Sequence, residues 1–311
     1  MPHCKAVAIL NQKGGTGKTT TAVNLGAGLA LMGKKVLLVD ADPQGNLTTA
    51  LGWKRPDELD VTLGTHMTKI VEDEPYPPTS GILHHEEGFD VMPANIELSG
   101  MELGLVNAMS REHVMKLWLA QTKDAYDHVI IDCNSSLGML TINALAAASS
   151  VIIPVQAQYL PANGMTQLIK TVSRVKRQIN PGLQIDGVLL TLYDARTNLA
   201  KQVERDIRRD FGNKLKIFDA VVPMAVSAAE ASAYGKSIFA YDGEGKAAMA
   251  YQALAKEVLK IGTRKRTMNH PGFCRQLRFS ILSTLAPIFS RSIKHLFYLH
   301  RCFPIIKFSD V

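Results

Sequence analysis

A short apolar run, Lys5–Leu10, leads without a break into Asn11-Gln12-Lys13-Gly14-Gly15-Thr16-Gly17-Lys18-Thr19-Thr20, and a segment of helical periodicity follows. Glycines at this density let successive backbone N–H groups turn inward, and a helix starting at the loop's end adds the positive end of its dipole. Such a loop cradles phosphate when a buried strand delivers it and a helix leaves from it. Lys18 is placed to reach β- and γ-phosphates, and the Thr19 hydroxyl to coordinate Mg2+. The usual pattern has a glycine six residues before the lysine, where this chain has Gln12. A strand, a phosphate loop and a helix commit the chain to an α/β architecture.

Further apolar runs predict strands over Lys35–Asp40, Phe89–Pro93, His128–Asp132, Val151–Val155, Ile185–Leu192 and Ile217–Val222. Ahead of the first of these, Ala22, Leu25, Leu29 and Met32 recur at helical spacing and stop at Gly33, a C-cap position. Short apolar strands separated by helices predict a doubly wound, mostly parallel sheet with helices on both faces. Pro56–Gly88, with Glu74-Pro75-Tyr76-Pro77-Pro78 inside it, reads as a surface excursion. Two strand candidates end in acids, at Asp40 (followed by Asp42) and at Asp132. In open α/β sheets ligands bind at the carboxyl ends of strands.

With 311 residues, 46% hydrophobic and 20% charged, the chain can bury a sizeable core, and wholesale disorder is excluded. Four scattered cysteines lack metal-ligand spacing and read as free thiols of a reducing compartment. The apolar run Ala6–Leu10 is too short for a signal-peptide core, so a cytoplasmic location is expected. The net charge of +7 is unevenly placed: nine of 35 basic residues but one of 28 acids fall from Arg264 onward, leaving residues 1–263 at about −1. Overall basicity therefore carries no argument for nucleic-acid binding. The expected division is a nucleotide-binding domain over 1–262 and a basic, partly apolar, poorly ordered C-terminal extension over 263–311. In that extension Leu277, Ile281, Leu282, Leu285, Ile288 and Phe289 share a helical face, Pro287 kinks it, and Arg291 and Lys294 preclude a spanning helix. Membrane contact, nucleic-acid contact, packing on the body and no fold all stay open for it.

Lys13-Gly14-Gly15-Thr16-Gly17-Lys18-Thr19 resembles the deviant Walker A loop K-G-G-[TV]-G-K-[TS] of the ParA/MinD superfamily of P-loop NTPases. Asp40-Ala41-Asp42-Pro43-Gln44-Gly45-Asn46 resembles the switch I sequence D-x-D-P-Q-G-N of its partition branch, and His128–Asp132 a Walker B strand. Pro154–Tyr159, Gly164–Leu168 and Thr191–Thr197 extend the likeness, which covers about residues 5–262. The resemblance implies a slow ATPase (ATP and water to ADP and phosphate) using ATP and Mg2+. It implies catalytic roles for Lys13, Lys18 and Asp42, with Asp42 orienting the attacking water. Nucleotide contacts would come from Lys13, Gly14, Gly15, Thr16, Gly17, Lys18, Thr19 and Thr20, with Pro223 closing over the adenine. Thr19, Asp40 and Asp132 would serve the metal, Asp40 through Mg2+ or loop geometry. Lys13 would cross to the partner's nucleotide, coupling ATP binding to dimerisation and stabilising charge on the transferring phosphoryl group.

The implied function is segregation or positioning of DNA by an ATP-dependent homodimer. It would bind DNA without sequence preference and be stimulated by a ParB-like centromere-binding protein, in a cytoplasmic, nucleoid-associated setting. Two departures bear on this. Cys133-Asn134-Ser135-Ser136-Leu137-Gly138 lacks both prolines of the family's D-x-P-P-S-L-G, so a less rigid switch II is expected. Val222–Ala231 matches I-P-R-N-V-R-L-S-E-A with both arginines replaced, by Met224 and Ser227. Each lost phosphate contact should lower the salt-dependence slope of DNA binding by about 0.9. The basic residues left as candidates are Arg174, Lys176, Arg177, Lys201, Arg205, Arg208 and Arg209. Two other readings stay open: a MinD-like positioning ATPase docking on membrane through the extension, and a nucleotide-gated adaptor with little turnover.

Overall fold

The computed structural model describes residues 4–157 and 162–268, with side chains described over 4–157 and 164–261. The chain separates into one unit ending at Leu259 and another beginning at Lys260. The expectations for the extension lie outside the described residues.

The elements run β1 (Lys5–Ile9), α1 (Lys18–Leu31), β2 (Val36–Ala41), α2 (Asn46–Ala50), α3 (Leu63–Val71), β3 (Leu83–His85), β4 (Phe89–Met92), α4 (Glu97–Gly104), α5 (Val114–Thr122), β5 (His128–Cys133), α6 (Met139–Ala147), β6 (Ser150–Gln156), α7 (Ala162–Gln178), β7 (Gln184–Tyr193), α8 (Asn198–Phe211), β8 (Ile217–Pro223), α9 (Val226–Ala233), α10 (Ile238–Asp242) and α11 (Lys246–Met268). All seven expected strands form, within a residue or two of their expected ends. With β3 added, they form an eight-stranded sheet in the order β3-β4-β2-β5-β1-β6-β7-β8. Every pairing is parallel except β3 with β4, an antiparallel edge that the sequence reading did not anticipate.

Strands β2 and β5 are buried at every residue. That is why they read as unbroken apolar runs, since a sheet covered on both faces has no solvent side on which to place polar residues. One cluster packs Ala8, Leu37, Ile131, Val151, Ile153 and Leu190 against Leu98, Trp118, Leu140, Leu168 and Val203 from the helices α4 to α8. On the other face Leu25 and Leu29 of α1 and Tyr251, Leu254 and Val258 of α11 are buried with Val7, Leu38 and Phe218. Helix α1 ends where expected. Gly33 takes φ +74°, its N–H donates to Ala30 O at 2.8 Å, and Lys34 N–H donates to Leu29 O at 3.2 Å. This pair of bonds is the Schellman arrangement, which glycine enters without a Cβ penalty.

The stretch Pro56–Gly88 is not the surface excursion its prolines suggested. It contains α3, whose Leu63 and Met67 are fully buried in the main cluster, and the edge strand β3. Thr62 and Thr65 bond reciprocally at the start of α3, satisfying N-terminal donors that would otherwise go unpaired.

Candidate functional site: a phosphate loop at the switch point of the sheet

Strand β1 sits between β5 and β6, and the chain leaves β1 toward β2 on one side while β6–β8 extend the other. The residues following β1 therefore emerge into the crevice where ligands of doubly wound sheets bind. Residues 11–17 form the loop there. Asn11 anchors its start: the side-chain amide donates to Pro154 O at 2.6 Å and Oδ1 accepts from Lys13 N–H at 3.1 Å. Gly15 and Gly17 take φ +70° and +78°, a left-handed conformation that costs glycine little. Gly17 is the N-cap of α1, and no side chain caps that end or places an acid in its first turn. The first-turn N–H groups of Lys18, Thr19 and Thr20 thus keep their donor capacity for an anion.

One contact that sequence reasoning missed holds the loop from behind. Thr191, late in β7, donates its hydroxyl to Thr16 O at 2.8 Å, and both residues are buried. Thr191 belonged to a stretch matched by resemblance, but nothing local in the sequence ties it to Thr16. Thr191→Val keeps the shape and orphans the Thr16 carbonyl. An unsatisfied buried acceptor costs about 1–3 kcal/mol, so a loss of stability of that size is expected in urea unfolding. An unchanged midpoint would show that the clamp contributes nothing to the fold.

The two lysines of the loop are disposed differently. Lys18 is 8% exposed, and its ammonium donates to Ser135 Oγ at 3.2 Å. Lys13 is exposed, with its ammonium 3.4 Å from Gln156 Oε1 at the end of β6.

Register brings the acids beside the loop. Asp40 is paired across the sheet with Asp132, and Asp132 with Ile9 at the end of β1. Neighbouring strands lie about 4.8 Å apart, so the carboxylates are close neighbours at the foot of the loop. Both are buried, and their circumstances diverge. Asp40 is fully engaged: Oδ2 accepts from Thr48 N–H at 2.9 Å and Thr48 Oγ1–H at 2.7 Å, and Oδ1 accepts from Asp42 N–H at 3.2 Å. Burial pushes its carboxyl up to about 7 despite these bonds. Asp132, beside the Thr19 hydroxyl, makes no hydrogen bond of ordinary geometry among the described residues. Burial first, then the charge of Asp40, holds the Asp132 carboxyl well above the usual range, with Thr19 and Lys18 pulling the other way. A buried carboxylate without a well-made hydrogen bond, beside a threonine hydroxyl and a lysine, suits a hard divalent cation with its water shell. Asp40, by contrast, is spent on fixing the loop into α2.

Asp42 begins that loop. Its Oδ1 accepts from Gln44 N–H at 3.0 Å and its carbonyl from Gly45 N–H at 2.9 Å, a turn that leaves the carboxylate partly exposed. After β5, switch II is not left slack by the missing prolines. The Thr141 hydroxyl of α6 lies 2.6 Å from Ser136 O and 2.9 Å from Asn134 Oδ1, and its single proton ties α6 to the turn at one of these acceptors at a time. The expected loss of rigidity is thus offset by a contact from the following helix.

Pro223 closes β8 beside Tyr193, three strands out from β1, and no hydrogen bond among the described residues joins it to the loop. Met224 is exposed. On α8 two of the four expected cations are paired, Arg208 with Glu204 at 3.0 Å and Arg209 with Asp206 and Asp210 at 2.9 and 2.8 Å, while Lys201 and Arg205 are exposed and make no ion pair among the described residues. On α7, Arg174, Lys176 and Arg177 are exposed and make no ion pair among the described residues. A separate half-open cavity of about 540 Å³ lies at the opposite end of β7, lined by Lys170, Val172, Leu183, Phe211 and Lys214 among others, and shares no residue with the phosphate loop.

A phosphate loop, its lysine, and a buried acid at the switch point of a parallel sheet define a P-loop nucleotide-binding protein. Residues 4–185 match a protein-family profile described as an AAA domain. The chain is 46% identical over 258 residues to the sporulation initiation inhibitor protein Soj of Bacillus subtilis, covering 83% of this chain and 99% of that one. It is 41% identical over 257 residues to the chromosome partitioning protein ParA of Caulobacter vibrioides, covering 82% and 94%. Among solved structures, cobyrinic acid a,c-diamide synthase from Mycobacterium smegmatis with bound ADP and magnesium aligns with a TM-score of 0.72 at 36% identity, over 83% of this chain and 95% of that one. The chain belongs to the ParA/MinD family of P-loop ATPases, on the branch of the Soj and ParA proteins.

Proposed function

We propose that this ATPase segregates DNA as an ATP-gated dimer, and the opposed disposition of its two loop lysines carries that reading. Lys18 turns inward to the cradle, where it neutralises phosphate charge. Lys13 stands outward at the loop's mouth, available to a nucleotide held by a second copy. A cation delivered in trans makes ATP binding and dimerisation one event. Loop amides of residues 14–20 orient the phosphates, and the partly exposed Asp42 carboxylate orients the attacking water and takes up its proton. Thr19 and Asp132 would hold Mg2+, with Asp40 shaping switch I behind them. A metal held there would neutralise charge on the transferring phosphoryl group. Pro223 is assigned to the adenine side of the site.

Nonspecific DNA contact is assigned to the exposed cations that make no ion pair among the described residues, Arg174, Lys176 and Arg177 of α7 with Lys201 and Arg205 of α8, because Arg208 and Arg209 are paired within their own helix. With Met224 and Ser227 in place of arginines, the affinity and its salt dependence should be lower than a full set of phosphate contacts would give. A ParB-like partner that stimulates hydrolysis completes the cycle. No helix among the described residues is long and apolar enough to cross a membrane. The ATPase domain is taken as residues 1–262 and the remainder as an extension, in a cytoplasmic, nucleoid-associated protein.

Lys13→Ala tests the central claim. The variant should bind ATP as a monomer with little change and fail to dimerise when ATP is added, read by analytical ultracentrifugation. Dimerisation at the wild-type ATP concentration would remove Lys13 from the interface.

A further inference from the structure

We infer that Ser135 is a γ-phosphate sensor, a hydroxyl that lets switch II distinguish ATP from ADP. The inference rests on the P-loop reading above and adds a residue to it. Ser135 occupies the first turn beyond Asp132, where the related motif carries its second proline. A proline offers neither a backbone N–H nor a hydroxyl. Asn134 and Ser135 restore two backbone donors, and Ser135 adds a third on its side chain.

The geometry places that third donor usefully. Ser135 Oγ accepts from the Lys18 ammonium at 3.2 Å. A hydroxyl has one proton and two lone pairs, so accepting from Lys18 leaves the proton to give. That proton has no acceptor among the described residues, and accepting from an ammonium polarises the O–H and strengthens it as a donor. Lys18 itself serves the β- and γ-phosphates. A group within hydrogen-bond distance of that ammonium borders the phosphate position, and a rotation of the exposed Ser135 side chain would bring its hydroxyl onto a phosphate oxygen that the ammonium meets. The β-phosphate is already enclosed by loop amides, which leaves a γ-oxygen as the acceptor for a donor coming from switch II.

The position is also stiff enough to sense. Asn134 and Ser136 flank Ser135, and the Thr141 hydroxyl of α6 lies within hydrogen-bond distance of an oxygen of each, with its one proton for either. A bond formed or lost at Ser135 pulls on a turn anchored to a helix, rather than being absorbed by a loose loop. Ser135 is exposed, so no side chain has to be displaced before the phosphate arrives.

Titration of the full chain with fluorescent ATP and ADP analogues, for wild type, Ser135→Ala and Ser135→Thr, tests the assignment. A hydrogen bond to a charged acceptor is worth about 1.5–3 kcal/mol, so Ser135→Ala should weaken ATP binding about tenfold or more and ADP binding by less than about twofold. Ser135→Thr, which keeps the hydroxyl, should restore the wild-type ratio. Equal effects on ATP and ADP, or no effect on either, would overturn the sensor role while leaving the nucleotide site intact. Failure of the wild-type chain to bind either nucleotide would instead overturn the P-loop reading on which it rests.

Discussion

Lys18→Ala is expected to lower ATP affinity by roughly 10²–10³-fold and to remove measurable hydrolysis. Lys18 is the buried cation of the cradle, and the anion it serves carries its charge into a partly enclosed site. Removing one partner of a buried charge pair costs about 3–5 kcal/mol, and each 1.4 kcal/mol is about a tenfold change in affinity. Alanine suits the first position of α1, so the fold should persist and circular dichroism should be unchanged. Isothermal titration with Mg·ATP reads the effect. Affinity within tenfold of wild type would mean that the loop amides alone hold the nucleotide.

Asp42→Ala should separate binding from chemistry. A positioned general base contributes about 10²–10⁴-fold to a rate. Turnover should fall by at least a hundredfold while ATP binding persists, so the ATP-bound dimer accumulates. The alanine also removes the acceptor for Gln44 N–H, which bonds Asp42 Oδ1 at 3.0 Å. Asp42→Asn resolves the ambiguity, because an amide oxygen keeps the turn and discards the base. Loss of phosphate release in both variants supports the carboxylate's role, and normal turnover in Asp42→Asn would confine Asp42 to holding the turn.

The local parts of this molecule were legible in the sequence and the non-local parts were not. Strands β2 and β5 announced themselves because burial on both faces leaves no polar alternation. The phosphate loop is contiguous, so its spacing alone suggested it, whereas the acids at strand ends drew their roles from the resemblance to switch I and Walker B sequences. Helix α3 was hidden among prolines and acids, and β3 spans three residues with two histidines, too short for any periodicity. The clamps were invisible for a different reason. Thr191 and Thr16 are 175 residues apart, and a lone threonine in an apolar strand looks like any other β-former. The roles of Asp40 and Asp132, both acids at strand ends, diverge because Thr48 folds back onto the first, while the second makes no hydrogen bond of ordinary geometry among the described residues. The pairing of α8 was within reach, since Glu204–Arg208 and Asp206–Arg209 stand at helical i,i+4 and i,i+3 spacing.

The Thr191 clamp has a consequence for synthesis. The loop is translated within the first twenty residues, yet its backbone is fastened by a side chain that leaves the ribosome much later. A nascent chain carrying residues 4–185, the whole span of the matched family profile, still lacks that fastening. The cradle is finished only when β7 joins the sheet, so the growing polypeptide meets cellular ATP with an incomplete grip until most of the domain has emerged.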